Sequence, residues 1–290
     1  MDVVNITYTG ACALPTVSPL CAKLEGYWQQ EWEAKKDARV ADWALMDSPL
    51  PTLLLTLAYL VFVRLVPVMM EKRKAFELRT SMAVYNLAMV IFNLYMMLEF
   101  YGSTRHLSNR FCLPIDYSND PQAVRLAHVC WYYYISKLLE FTDTVMFILR
   151  KKNGQVTFLH VYHHSTMFML WYIGVKWVAG GLSWFGACLN CGIHVIMYLY
   201  YFLAGLGPGF RKYLWWKKYM TTFQLTQFFI CLVHGIYSFY NRCDFPFGIQ
   251  IAYCIYISSH VALFGNFYKK AYLKKTPQSA TAKQNGVKTE

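Results

Sequence analysis

Residues 156–177 read VTFLHVYHHSTMFMLWYIGVKW, and this stretch decides both fold and chemistry. A bilayer-spanning helix needs about 20 residues, which the stretch supplies. Apart from one stripe it is apolar all round, whereas the surface helix of a soluble bundle keeps a polar face. Yet three of the chain's eight histidines fall inside it: His160, His163 and His164. Positions i, i+3 and i+4 share one helix face, so the three imidazoles line a single stripe.

Six more apolar blocks flank this one, at roughly 50–70, 80–101, 124–149, 183–205, 217–239 and 246–268. Arg64 and Pro67 make the first the weakest, but both lie near its end, where a Pro is tolerated and an Arg can snorkel. The blocks do not alternate as barrel strands do. Composition agrees: 56% of residues are hydrophobic and 15% charged, against about 25% charged in soluble domains. The expected fold is an all-α integral membrane protein of seven transmembrane helices. It divides into an N-terminal segment 1–49, a membrane domain 50–268 and a basic tail 269–290, whose polar end is expected to be disordered.

The net charge is +12. Base concentrates in alternate connections: Lys72, Arg73, Lys74 and Arg79; Arg150, Lys151 and Lys152; Arg211, Lys212, Lys217 and Lys218; and the tail from Lys269. By the positive-inside rule these face the cytosol, with the N-terminus lumenal and the C-terminus cytosolic, as an odd number of spans requires. Base parcelled into short loops is a poor fit to a nucleic-acid partner. No cleavable signal peptide is expected, since the first apolar block begins near residue 50. Asn5-Ile6-Thr7 is a glycosylation sequon, usable on the lumenal side. Cys112 and Cys243 fall in lumenal loops where they can pair, and Cys12 with Cys21 is a rival pair. The cysteines within blocks read as packing residues.

Ionisable groups inside spans are expensive and usually functional. KLLEFTDT (137–144) puts Lys137, Glu140 and Thr144 on one face with Asp143 at its edge. NCGIHVIMYLYY (190–201) lines up Asn190, His194, Tyr198 and Tyr201, and TTFQLTQ (221–227) sets Gln224 and Gln227 a turn apart. The expected topology brings all these clusters to one depth, between midplane and cytosolic surface. The expectation is one polar chamber with a mouth ringed by Arg150, Lys151, Lys152, Arg211, Lys212, Lys217 and Lys218, suited to phosphate. The competing reading is helix-to-helix glue, strongest for the amides and tyrosines and for a Lys137–Glu140 pair. His106 and His128 read as incidental and His234 as structural, while the role of His260 stays open.

Imidazole clusters first suggest metal. A membrane di-iron desaturase or hydroxylase needs about three histidine boxes, and this chain has one, although His160, His163, His164 and His194 with Glu140 or Asp143 suit a single ion. The alternative is acyl transfer, in which histidine serves as general base or is itself acylated. A basic mouth, a polar middle and an apolar far end match an acyl-coenzyme A. A transporter would open its polar groups to both faces, and a seven-span receptor would not need three histidines near the cytosol.

Taken in order, KLLEFTDT, HVYHH, NCGIHVIMYLYY and TTFQLTQ resemble the signature set of the fatty acid elongases of the endoplasmic reticulum, across roughly 50–270. LEFTDTVMFILRKK, LHVYHH and KWVAGG look most like the group handling very long and polyunsaturated chains. The resemblance implies that the last six helices form two three-helix units around a narrow acyl tunnel. It implies condensation of acyl-coenzyme A with malonyl-coenzyme A to 3-oxoacyl-coenzyme A, with no cofactor or metal. His163 would be acylated and His194 would face it. His160 and His164 would orient the site, Lys137, Glu140 and Asp143 support it, and Asn190, Tyr198, Gln224 and Gln227 line it. A disulfide between Cys112 and Cys243 is implied, as is a homodimer or a complex with other elongation-cycle enzymes. Phe229, Trp171 and Trp184 are candidates for the tunnel's far lining. The chain ends VKTE where many relatives carry a terminal dilysine, so retention is expected to rest on Lys274 and Lys275 or on partners.

Overall fold

The computed structural model describes residue 33 and residues 35–273, and among these there are helices and connections but no strand. Asn5, Cys12, Cys21, Lys274, Lys275 and the rest of the tail lie outside the described residues, as do the side chains of Arg211 and Lys218. The long helices are α1 Leu50–Met69, α2 Arg79–Thr104, α3 Pro121–Leu139, α4 Phe141–Leu149, α5 Phe158–Val178, α6 Ser183–Gly205, α7 Lys217–Tyr240 and α8 Phe247–Tyr268.

Local chemistry sets several boundaries. Asp120 caps α3 by accepting from the Gln122 and Ala123 amides, with Pro121 at the first position, where a missing N–H costs nothing. Thr157 caps α5 by accepting from the His160 amide at 3.3 Å. Between α5 and α6 the chain turns at Gly180 and Gly181, both at positive φ. A Cβ on Gly181 would stand 2.8 Å from Ile115, so this turn needs glycine for space as well as for backbone freedom.

The block at 124–149, expected as one helix, is two. Glu140 separates α3 from α4, and the Asp143 amide reaches back only three residues to the Glu140 carbonyl at 3.1 Å. Such a 3-10 tightening inside a helix marks a functional or strained point, and here it lies at the most polar residues of the block.

In the ring of helices, α2 packs along α6, α6 against α7, α7 against α8, and α3 against both α2 and α5. Side chains close the last gap: Tyr162 to Ser259 at 3.0 Å, Thr166 to Tyr256 at 2.8 Å and His163 to His260 at 3.1 Å join α5 to α8. Helix α1 lies outside, against α4 and α5. A large buried core draws on α2, α3, α5 and α6, and includes Val40 and Met46 from the N-terminal segment. That segment is strapped down by the Asp37 amide on the Lys176 carbonyl, Lys176 Nζ on the Met46 carbonyl and Trp131 on the Ala44 carbonyl. A smaller core of Phe228, Cys231 and Ile257 joins α7 to α8.

Four helical stretches, Leu50–Met69, Arg79–Thr104, Ser183–Gly205 and Phe247–Leu273, are long and apolar enough to cross a membrane. The other segments carry Lys137, Glu140, the three-histidine stripe or the α7 glutamines, which lower their hydropathy. The outward surface is apolar, with Leu57, Ile91, Phe229 and Ile255 all largely exposed. An apolar girdle of this extent on a monomer marks contact with lipid, and the chain is a multi-pass membrane protein. Phe229, expected to line the interior, is instead 61% exposed. The periodicity of an all-apolar helix carries no direction, so the pattern could not assign its face.

Candidate active site

The groups singled out along the sequence converge inside the ring. Lys137 Nζ donates to Glu140 Oε1 at 2.6 Å and to Asn190 Oδ1 at 3.3 Å, and lies 4.1 Å from the centre of the Tyr133 ring. Both charged side chains are 1% exposed. A buried pair of this kind survives only when its remaining hydrogen-bonding capacity is met. Asn190 shares that work: its carbonyl accepts from Tyr133 at 2.5 Å, and its amide donates to Gln227 at 3.4 Å.

Two imidazoles approach the Glu140 carboxylate. His194 Nδ1 is 3.2 Å from Oε1 and His164 Nδ1 is 3.8 Å from Oε2. Both nitrogens are buried; at 3.8 Å His164 Nδ1 is beyond hydrogen-bond distance, and at 3.2 Å His194 Nδ1 is in charge contact with the carboxylate without a well-formed hydrogen bond. Buried polar atoms left without a good partner are uncommon and cluster at functional points. Glu140, His163 and His194 each bring one ligand-type atom within 4.8 Å of the others.

Around this centre the remaining residues divide. Tyr198 donates to Asp143 Oδ2 at 2.7 Å, with Tyr85 of α2 against the Tyr198 ring. His160 turns the other way, pairing with Thr144 at 2.7 Å, and Thr144 pairs with Tyr59 of α1 at 3.1 Å. His160 therefore anchors α5 to α4 and α1, while His164 is drawn toward Glu140. Gln224 is half-buried and reaches only the Met197 sulfur, at 3.9 Å, so it stands apart from the cluster that Gln227 joins. Trp171 packs on Tyr133, whereas Trp184 donates to the Arg110 carbonyl.

Sequence reasoning missed Tyr133, Tyr59 and Tyr85, and left His260 unassigned. A tyrosine-rich apolar helix offers no local signal for which ring faces inward. His234, read as structural, donates to the Phe111 carbonyl at 2.9 Å, and His128 stacks on Trp43.

Basic loops meet at one end of the ring. Lys151 donates to the Glu71 carbonyl at 2.9 Å, and Arg79 donates to the carbonyls of Gly205 and Leu206. The connections after α1, α4 and α6 are therefore neighbours. Lys152, Lys212 and Lys217 are exposed, while Arg150 is half-buried and points its guanidinium at Met82. At the opposite end Cys112 and Cys243 are bonded, with Cα atoms 5.2 Å apart.

Inside a helix ring with an apolar outer surface the structure thus gathers imidazoles around a buried ammonium–carboxylate pair. The chain belongs to the ELO (GNS1/SUR4) family of fatty acid elongases, whose match spans residues 44–280. It is 50% identical over 254 residues to mouse very long chain fatty acid elongase 4, covering 87% of this chain and 81% of that protein. The human protein of the same name is 49% identical over 253 residues, covering 87% and 81%. Rat very long chain fatty acid elongase 7 is 43% identical over 263 residues, covering 89% of this chain and 94% of its own.

Proposed function

We propose that this fatty acid elongase is a very-long-chain 3-oxoacyl-coenzyme A synthase, an acyltransferase condensing long-chain or polyunsaturated acyl-coenzyme A with malonyl-coenzyme A. The observation that carries the reading is the meeting of His163, His194 and Glu140 within 4.8 Å in a buried site. In this reading seven segments cross the endoplasmic reticulum membrane, with a lumenal N-terminus and a cytosolic C-terminus. The ring encloses the acyl tunnel, and the last six segments form its two three-helix units. The basic loops take the coenzyme A phosphates through Arg150, Lys151, Lys152, Arg211, Lys212, Lys217 and Lys218. The Cys112–Cys243 bond and a sugar on Asn5 belong to the lumen. The working unit is a homodimer or a complex with other elongation-cycle enzymes.

His163 attacks the thioester carbonyl, the C–S bond breaks, and coenzyme A leaves as thiolate. Decarboxylation of malonyl-coenzyme A then gives a carbon nucleophile that takes the acyl group and restores His163. Covalent transfer splits one difficult step into two, and one basic mouth then serves two coenzymes in turn. In this reading His194 and Asn190 supply donors that offset developing oxyanion charge.

Glu140, His163 and His194 also suit a metal ion. The proposal is metal-free, because the Lys137 ammonium already lies 2.6 Å from Glu140 Oε1 and repels a cation there. Chelation should leave elongation unchanged, and a loss restored by added metal would favour the second reading. Membranes bearing the protein, given labelled malonyl-coenzyme A and a panel of acyl-coenzymes A, should yield products two carbons longer. His163→Ala should cut turnover by about a thousandfold or more, the loss typical of a removed nucleophile. An unaffected His163→Ala would remove this residue from the chemistry.

A further inference from the structure

His260 belongs to no histidine box, yet it is 1% exposed and its Nε2 lies 3.1 Å from His163 Nδ1. Its other ring nitrogen, Nδ1, lies 3.0 Å from the Tyr256 carbonyl oxygen. A carbonyl only accepts, so His260 Nδ1 carries the proton. Ser259 Oγ is 3.5 Å from that nitrogen, but its hydroxyl donates to the same Tyr256 carbonyl at 2.7 Å. The Nε2 of a neutral ring so arranged is an acceptor, and its partner, His163 Nδ1, must donate. The lone pair of His163 is then on Nε2, the nitrogen that His260 does not engage. Which imidazole nitrogen is bare is set by the hydrogen bond the other one makes. A neutral imidazole without such a partner favours the proton on Nε2, where it blocks attack.

The surroundings suit this role. Tyr256, Phe228, Tyr162 and Phe264 pack round the His260 ring with centroids 4.3–6.3 Å away. The acidic group nearest to the chemistry, Glu140, is engaged with Lys137. The ring is therefore held by aromatic contacts and by the Tyr256 carbonyl.

We infer that His260 is a positioning residue that fixes His163 in the tautomer with its lone pair on Nε2, through the chain Tyr256 carbonyl, His260, His163. The inference rests on the reading of His163 as the acylated group. As the C–N bond forms and C–S breaks, the His163 Nδ1 proton passes to His260 Nε2, leaving a neutral acyl-imidazole. When the malonyl-derived carbon takes the acyl group and C–N breaks, that proton returns to His163 Nδ1. The departing coenzyme A thiolate takes its proton from solvent, so the histidine pair ends as it began.

The test follows acylation of the full-length protein by acyl-coenzyme A alone, read by intact mass against time. His260→Phe keeps an aromatic ring and removes the acceptor, and should slow adduct formation about 10–100-fold, the loss seen when a partner orienting a metal-bound imidazole is removed. His260→Gln loses the ring but offers a carbonyl oxygen to His163 Nδ1, and should recover most of the lost rate. A packing role predicts the reverse order, so Phe performing as well as Gln overturns the inference. A wild-type protein that forms no adduct overturns the acyl-histidine reading itself, whereas a normal adduct with unimpaired His260→Phe overturns only the role of His260. Should His260→Phe not fold, nitrogen-15 spectra of histidine-labelled wild type decide: His163 should be protonated at Nδ1 and bare at Nε2, and the opposite tautomer refutes the chain.

Discussion

Besides the polar cluster that links α3 and α4 to α6, the halves α2–α5 and α6–α8 meet along two seams of different character. The α2–α6 seam is close and apolar: Met97 approaches Gly192, Cys188 lies against the Met97 carbonyl, and the large core continues across it. The α5–α8 seam carries three polar side-chain pairs and ring contacts of Tyr162 with Tyr256 and His260, beside a core of few buried residues. Van der Waals packing of small and apolar side chains holds helices permanently in a bilayer, while interhelical hydrogen bonds there contribute modestly. The proposed nucleophile sits on the second seam. In the proposed mechanism the chemistry thus falls on the seam held by polar side-chain pairs, and the close apolar seam lies away from it.

That contrast can be broken experimentally. Lys137→Met leaves Glu140 as an unpaired buried charge and should cost about 3–5 kcal/mol of stability, read as a fall in the unfolding midpoint in detergent. Adding Glu140→Met should restore the midpoint but not turnover; a stable single variant would show that the pair is dispensable. Cys112→Ser opens a bond spanning 131 residues of sequence and should cost about 2–5 kcal/mol, with a reductant producing the same midpoint shift in wild type. Gly181→Ala forces a side chain into a left-handed turn against Ile115 and Phe245, at about 2 kcal/mol. Tyr162→Phe deletes one hydroxyl of the polar seam and should cost only about 1 kcal/mol. If Tyr162→Phe proved as costly as Lys137→Met, the second seam would be a structural joint and the contrast would fail.

Much of this was legible along the chain. Hydropathy located the helices, because a bilayer demands long apolar runs, and the spacing of His160, His163 and His164 announced a common stripe. The convergence of Lys137, Glu140, Asn190 and His194 followed from depth. Two things did not follow. The break at Glu140 is a hydrogen-bond adjustment invisible in the helix-forming run KLLEFTDT. The partnership of His163 with His260 joins helices 97 positions apart, and α8 is apolar on all sides, so no periodicity showed which way His260 faces. His160 shares its stripe with His163 but bonds Thr144 instead, since rotamer and neighbours, not spacing, choose the partner.

The turn at residues 179–182 and the Cys112–Cys243 bond are the covalent crossings between the halves on the described chain, and both lie at the end away from the basic loops. At the other end, where the basic loops gather, the halves are tied by hydrogen bonds such as those from Arg79 to the carbonyls of Gly205 and Leu206. In the proposed function the charged head of the substrate docks there, at the end of the molecule opposite these covalent ties.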